Sequence, residues 1–275
     1  MNEMTKNLKP NTSLMIIFIA CLSVALAACQ IFQPSFGTEI TNRATVSNGR
    51  LTLELEFMDR VQLASGETKE WDVTYQKPFI EAAEQWLRAI DGVDGKENHT
   101  IVIQITVGSL SRANGMAGPS ADELIGDFTI PTRGELIIGN HTYVPGFDQV
   151  EFHANILHEI GHIIGIGSYT EAYTTRDNET QGNVFRGAKS NHGARNYNEI
   201  YGTSVDFVPM SDDGGHLYDY VLQEDKERQL ENGSLLPPMT KEFMANGHVF
   251  GAVTLGVLDD IGYEIDYSAA ERYTP

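Results

Sequence analysis

Five consecutive residues carry chemistry in this chain: His158-Glu159-Ile160-Gly161-His162. On an α-helix, residues four apart share a face, so both imidazoles can reach one ion, and nitrogen ligands so placed suit zinc. Glu159 lies one position along, beside the ion and not on it. From there its carboxylate can take a proton from a water that the metal acidifies while the metal polarises a carbonyl. The pattern specifies hydrolysis by metal-activated water, with His158 and His162 as ligands and Glu159 as general base. A catalytic zinc takes three protein ligands and keeps a fourth position open, so one ligand is still owed. His192, His216 and His248 lie downstream, and His216 follows Asp212-Asp-Gly-Gly215, a tight turn able to present it. A glutamate on a following helix is the other common solution. Glu179 and Glu199 are available, but no helix is evident to carry them.

The elements that must position these residues can be read from periodicity. The histidines are expected near the end of a helix from about Asp148 to Ile164, stopped by Gly165 and Gly167. Leu51 to Phe57 alternates apolar and acidic residues, the pattern of a strand with one wet face. Lys77 to Ile90 places Phe79, Ile80, Ala83, Trp86, Leu87 and Ile90 at helical spacing. Ile101 to Val107 reads as a buried strand. Ile125 to Ile130 and Glu135 to Ile138 read as two short strands separated by Pro131 and Gly134. Residues 168–215 are rich in Gly, Asn, Thr and Asp and are expected to be mostly loop, of the long kind that is often functional. Val249 to Ile261 closes the chain as a helix, followed by Tyr263-Glu-Ile-Asp-Tyr267. The class implied is α+β.

Composition excludes more than it assigns. The 275 residues suit one domain or one two-lobed enzyme. With 38 Asp+Glu against 19 Lys+Arg and a net charge of −19, the chain has no basic face for nucleic acid or for an anionic membrane surface. No Asp spacing forms a recognisable calcium loop, so structural calcium finds no support. Residues 1–28 read as a targeting segment, with Lys6 and Lys9 ahead of an apolar run from Leu14 to Ala28 that is short for a membrane span. The run ends in Leu26-Ala-Ala-Cys29, which resembles a bacterial lipoprotein cleavage box. That resemblance implies a signal peptide over 1–28 and a lipidated Cys29. A tether would follow over 29–48, leaving a catalytic domain over 49–275. It also implies a cell-envelope protein, at the outer membrane if the source is Gram-negative, because Gln30 stands where a retention Asp would. Cys21 leaves with the signal, so the mature chain forms no internal disulfide.

Beyond the zinc helix, the chain resembles the leishmanolysin branch of the metzincin zinc peptidases. In that branch HExxHxxG is followed by an insertion, and the third His comes far downstream. Ser168 stands where the compact metzincin pattern would place that His, but Gly165 is present. Phe185-Arg-Gly-Ala188 and Val208-Pro209 ahead of Gly214-Gly-His216 match the branch's order of landmarks, as do Met239-Thr240 and Thr254 to Tyr263. Phe79 to Trp86 and Gly115 to Pro119 fit upstream. Two features depart from it: Leu217 follows His216 where an aromatic is usual, and the segment from His216 to Met239 is long.

The resemblance implies a two-lobed, metzincin-like zinc peptidase domain with a mixed twisted sheet, an active-site helix and a mostly irregular C-terminal lobe ending in a helix. It implies His216 as third ligand with His192 as rival, and Met239 as the Met-turn beneath the ligands with Met244 as rival. It also implies a strand near 135–139 lining the cleft. The function expected is a monomeric zinc endopeptidase acting on polypeptides and held to the membrane by its N-terminal lipid only. The alternative is a non-proteolytic envelope lipoprotein that uses the same cleft to bind peptide or glycan. An intact Glu159 weighs against it, because a binder needs no general base.

Overall fold

The computed structural model describes residues 37–275 apart from 111–112, 143–148, 171–173, 181–182, 190, 212–213, 220–227, 230–232, 234 and 246. The expected signal segment and Cys29 lie outside the described residues. Residues from Phe36 onward form one compact unit. It is mixed α+β, with four α-helices among the described residues and a mixed main sheet.

That sheet contains β1 (Ile40–Ser47) and β2 (Leu51–Met58), while β3 (Ile90–Val93) stands apart from it. Next come β4 (His99–Gly108), β5 (Gly115–Ile125) and β6 (Phe128–Gly139), giving a strand order of β1-β2-β4-β6-β5. The β2–β4 and β4–β6 pairs are parallel, and the outer pairs β1–β2 and β5–β6 are antiparallel. Alternating apolar residues of β2 and β4, among them Leu53, Phe57, Ile103 and Ile105, are fully buried. Helix α1 (Val73–Ala89) covers them with Phe79, Ala82, Ala83 and Trp86, and it starts where Asp72 accepts the Thr74 and Tyr75 amides. Burying a side chain such as Phe79 stabilises the fold by about 2–3 kcal/mol. Trp86 Nε1 then donates to Leu157 O at 2.9 Å, tying α1 to α2 (Gln149–Ile163), the helix of the two histidines.

Several sequence expectations are corrected here. Residues 40–47, expected as tether, form β1, an edge strand that the β2 ladder holds without a strong apolar pattern of its own. The two short strands expected around Pro131 are one strand, β6. Pro131 pairs with Asp122 of β5 next to that strand's irregularities at 119–122, and the β4 ladder begins only at Arg133, so a residue without an N–H is tolerated there. At the other edge of the sheet lies β5, which covers β6; the segment 135–138 is therefore interior to the sheet.

The stretch 168–215 is also more ordered than its composition suggests. It contains β7 (Thr174–Thr180), β8 (Asn183–Lys189), helix α3 (His192–Tyr201) and β9 (Phe207–Met210), with the strands ordered β9-β8-β7. The start of α3 has no local cap. Asp260 instead accepts the Asn191, His192 and Gly193 amides at 2.9–3.0 Å. Asp260 belongs to α4 (Ala252–Asp260), the closing helix, after which β10 (Tyr263–Ile265) pairs with β3.

Candidate metal centre

Helix α2 brings His158 and His162 to one face, as their spacing requires, and the chain then turns sharply. Gly165 N donates to His162 O and Ile166 N to Gly161 O, closing the helix end. Gly165 and Gly167 hold φ of +125° and +83°, the region that an L side chain rarely adopts. At Gly167 the turn meets Gly215 so closely that a Cβ would lie 2.2 Å from Gly215 O. This backbone contact seats the next residue, His216, beside the helix. The loop carrying it is closed by Ser211 N to His216 O at 2.9 Å, and Leu217 N to Met244 O at 3.0 Å anchors its exit.

The ligand atoms of His158, His162 and His216 all lie within 4.8 Å of one another, and they form the one such metal-capable group among the described residues. His158 Nδ1 faces Phe243 O at 3.1 Å and His162 Nδ1 faces Ile166 O at 3.0 Å. A carbonyl only accepts, so both Nδ1 atoms carry the proton and both Nε2 atoms present lone pairs. Those two Nε2 atoms are 3.1 Å apart. Two bare lone pairs repel at that distance, whereas a tetrahedral ion with bonds of about 2.0–2.1 Å would hold them about 3.3 Å apart. Burial first, and then neighbouring His162 and His216, push the His158 imidazole well below its usual range, which keeps it in the neutral, ligating form. The donor set and its protonation therefore fit a metal ion.

Glu159 is 6% exposed and faces a cleft of about 340 Å³, lined also by Asn114, Gly115, Asn155, His158, His216 and His248. Gly115, the first residue of the edge strand, packs on the carboxylate; a Cβ there would lie 2.5 Å from Glu159 Oε1. Burial pushes the Glu159 carboxyl up to about 8, so the metal-free site holds a group able to take or give a proton near neutrality.

The other sequence candidates fall elsewhere. His192 starts α3, with Nδ1 against Asp259 Oδ2, and Ser168 is exposed. Glu199 does lie on a helix, α3, but does not join the metal-capable group. Met239 is buried and opens a turn in which its carbonyl accepts from Glu242 N at 2.8 Å. Met244, five residues on, supplies the sulfur that lies against the histidine helix, leaving no room for a Cβ at Gly161. Sequence reading missed Asn155 and the Phe243 carbonyl. Asn155 was findable, being one turn ahead of Glu159 on the same face, whereas nothing local marks a carbonyl that becomes the partner of a distant imidazole. Compared with known proteins, the chain matches no protein-family model and no curated protein.

Proposed function

We propose that the chain is a zinc-dependent endopeptidase with a metzincin-like fold, resembling the leishmanolysin branch, exported and held at the cell envelope by lipid on Cys29. The observation that carries this reading is the convergence of three histidines, two with Nδ1 already engaged, beside a buried glutamate in an open cleft. The mixed sheet with an antiparallel edge strand, the helix packed against that strand and the buried methionine against the helix support the same fold family.

His158, His162 and His216 would hold the ion. Once bound, zinc supplies Lewis acidity, lowering the pKa of water and polarising the scissile carbonyl. Glu159 takes the proton of the attacking water and returns it to the departing amine, so one carboxylate serves as base and then as acid. Burial of Glu159 under Gly115 holds it in place for both transfers. The outer edge of β5, the end strand of the sheet among the described residues, and not the segment 135–138, would offer the backbone groups to which an extended polypeptide adds as a further strand.

The test is peptide hydrolysis by the zinc-loaded protein. Glu159→Ala is expected to lower kcat by about 10²–10⁴-fold while bound zinc stays at the wild-type level. Retained cleavage in that variant would falsify the assignment. Peptide binding without cleavage by the wild type would favour the non-proteolytic alternative.

A further inference from the structure

Outside the metal group, Glu242 is a fully buried acidic side chain, 0% exposed, with a closed set of hydrogen bonds. Its carboxylate accepts from Val253 N and Thr254 N at 3.2 Å, from Thr254 Oγ1 at 2.6 Å and from Tyr273 Oη at 2.7 Å. It thereby caps the start of α4 with a residue from another part of the chain. Tyr273 belongs to the segment after β10, which is tied down again by Glu271 N to Phe250 O at 2.9 Å. The Tyr273 hydroxyl also meets Tyr201 Oη of α3 at 3.3 Å. One buried carboxylate thus joins α3, α4 and the C-terminal segment.

Its place in the chain gives this junction a second consequence. Glu242 directly precedes Phe243, whose carbonyl orients His158 Nδ1, and Met244, whose sulfur lies against Gly161. Met244 O also anchors Leu217, the neighbour of His216. The short 3₁₀ turn Phe243–Ala245 therefore touches one ligand and the neighbour of another; Phe243 and Met244 pack it into the core, and Glu242, the residue before it, adds hydrogen bonds to α4 and Tyr273.

We infer that Glu242 is a positioning residue for the metal site, and that Tyr273 is the latch through which the C-terminal segment sets how tightly the three histidines bind their ion. This rests on the reading of those histidines as zinc ligands. The lever is mechanical: a looser turn lets the Phe243 carbonyl drift, and His158 then loses the partner that fixes its tautomer and ring plane.

The experiment measures zinc affinity by chelator competition, and the visible spectrum of the cobalt-substituted protein, for wild type, Tyr273→Phe, Glu242→Gln, Thr254→Val and Thr254→Ser. Tyr273→Phe, Glu242→Gln and Thr254→Val are expected to bind zinc about tenfold more weakly with an altered cobalt spectrum. Thr254→Ser keeps the hydroxyl and is expected to match the wild type. A junction that is merely structural would lower the melting temperature while leaving affinity and spectrum of the folded protein unchanged, and that result overturns the inference. Tyr273→Phe removes one hydroxyl and no packing, so it tests the latch even if Glu242→Gln does not fold. Absence of zinc binding in the wild type would overturn the metal assignment itself. Tight wild-type binding with unaltered variants would overturn the latch alone.

Discussion

Gly167→Ala separates local strain from metal-site geometry. At φ +83° an alanine costs about 1–2 kcal/mol of backbone energy, whatever the surroundings. The second cost is specific to this site, because the new Cβ would lie 2.2 Å from Gly215 O. Carbon and oxygen need about 3.3 Å, so the two backbones must part by about 1 Å. Zinc–nitrogen bonds tolerate about 0.2 Å of error, and His216 follows Gly215 directly, so its imidazole would leave the coordination sphere of the proposed zinc. The expected result is a loss of about 2–3 kcal/mol in apo stability and at least about a hundredfold in zinc affinity. Gly202→Ala is the control. Gly202 holds φ +68° with nothing within 4 Å, so the same substitution carries only the backbone cost of about 1 kcal/mol and leaves zinc affinity unchanged. Urea titration in the presence of chelator measures the first quantity, and competition with a chromophoric chelator measures the second. Equal zinc affinities for the two variants would refute the claim that this contact seats the third ligand.

Other consequences follow from the same geometry. Gly115→Ala pushes against Glu159 Oε1 at 2.5 Å and is expected to lower peptide turnover about a hundredfold with zinc content intact; unchanged kcat would show that Glu159 needs no such packing. In the metal-free protein the native Glu159 carboxyl titrates at about 8, against 4.5 when unfolded. Between those values the native state binds more protons, so apo stability is expected to fall as pH rises through that window, with a slope of at most about 1.4 kcal/mol per pH unit. Glu159→Gln should flatten that dependence in urea titrations, and zinc should suppress it by favouring the carboxylate. Asn155 Nδ2 is buried without a hydrogen-bond partner, so Asn155→Ala is expected to leave the melting temperature unchanged or raise it. A destabilisation beyond about 1 kcal/mol would mean that the amide is paired in solution.

The local and the long-range parts of this protein differ in how they can be read. His158 and His162 share a face because a helix repeats every 3.6 residues, and the glycines that stop that helix follow at once in the chain. The same short-range periodicity makes α1, β2 and β4 legible, since each buries its own apolar stripe. Strands β1 and β5 carry no such stripe, and their order comes from hydrogen bonds to β2 and β6, which no local pattern encodes. Helix α3 begins where a carboxylate from α4, 67–69 residues away, caps it. The third histidine of the metal-capable group belongs with these. Sequence alone left His192, His216 and His248 as possible ligands, and His216 was favoured by the turn ahead of it and by resemblance. The tertiary structure brings His216 within reach of His158 and His162 because two glycine backbones can approach where side chains would collide, and because the turn around Met244 meets both His158 and the exit from His216. Helical spacing is a property of the backbone and is written within five residues; the meeting of segments some fifty residues apart is a property of packing, and exists only once the core has closed.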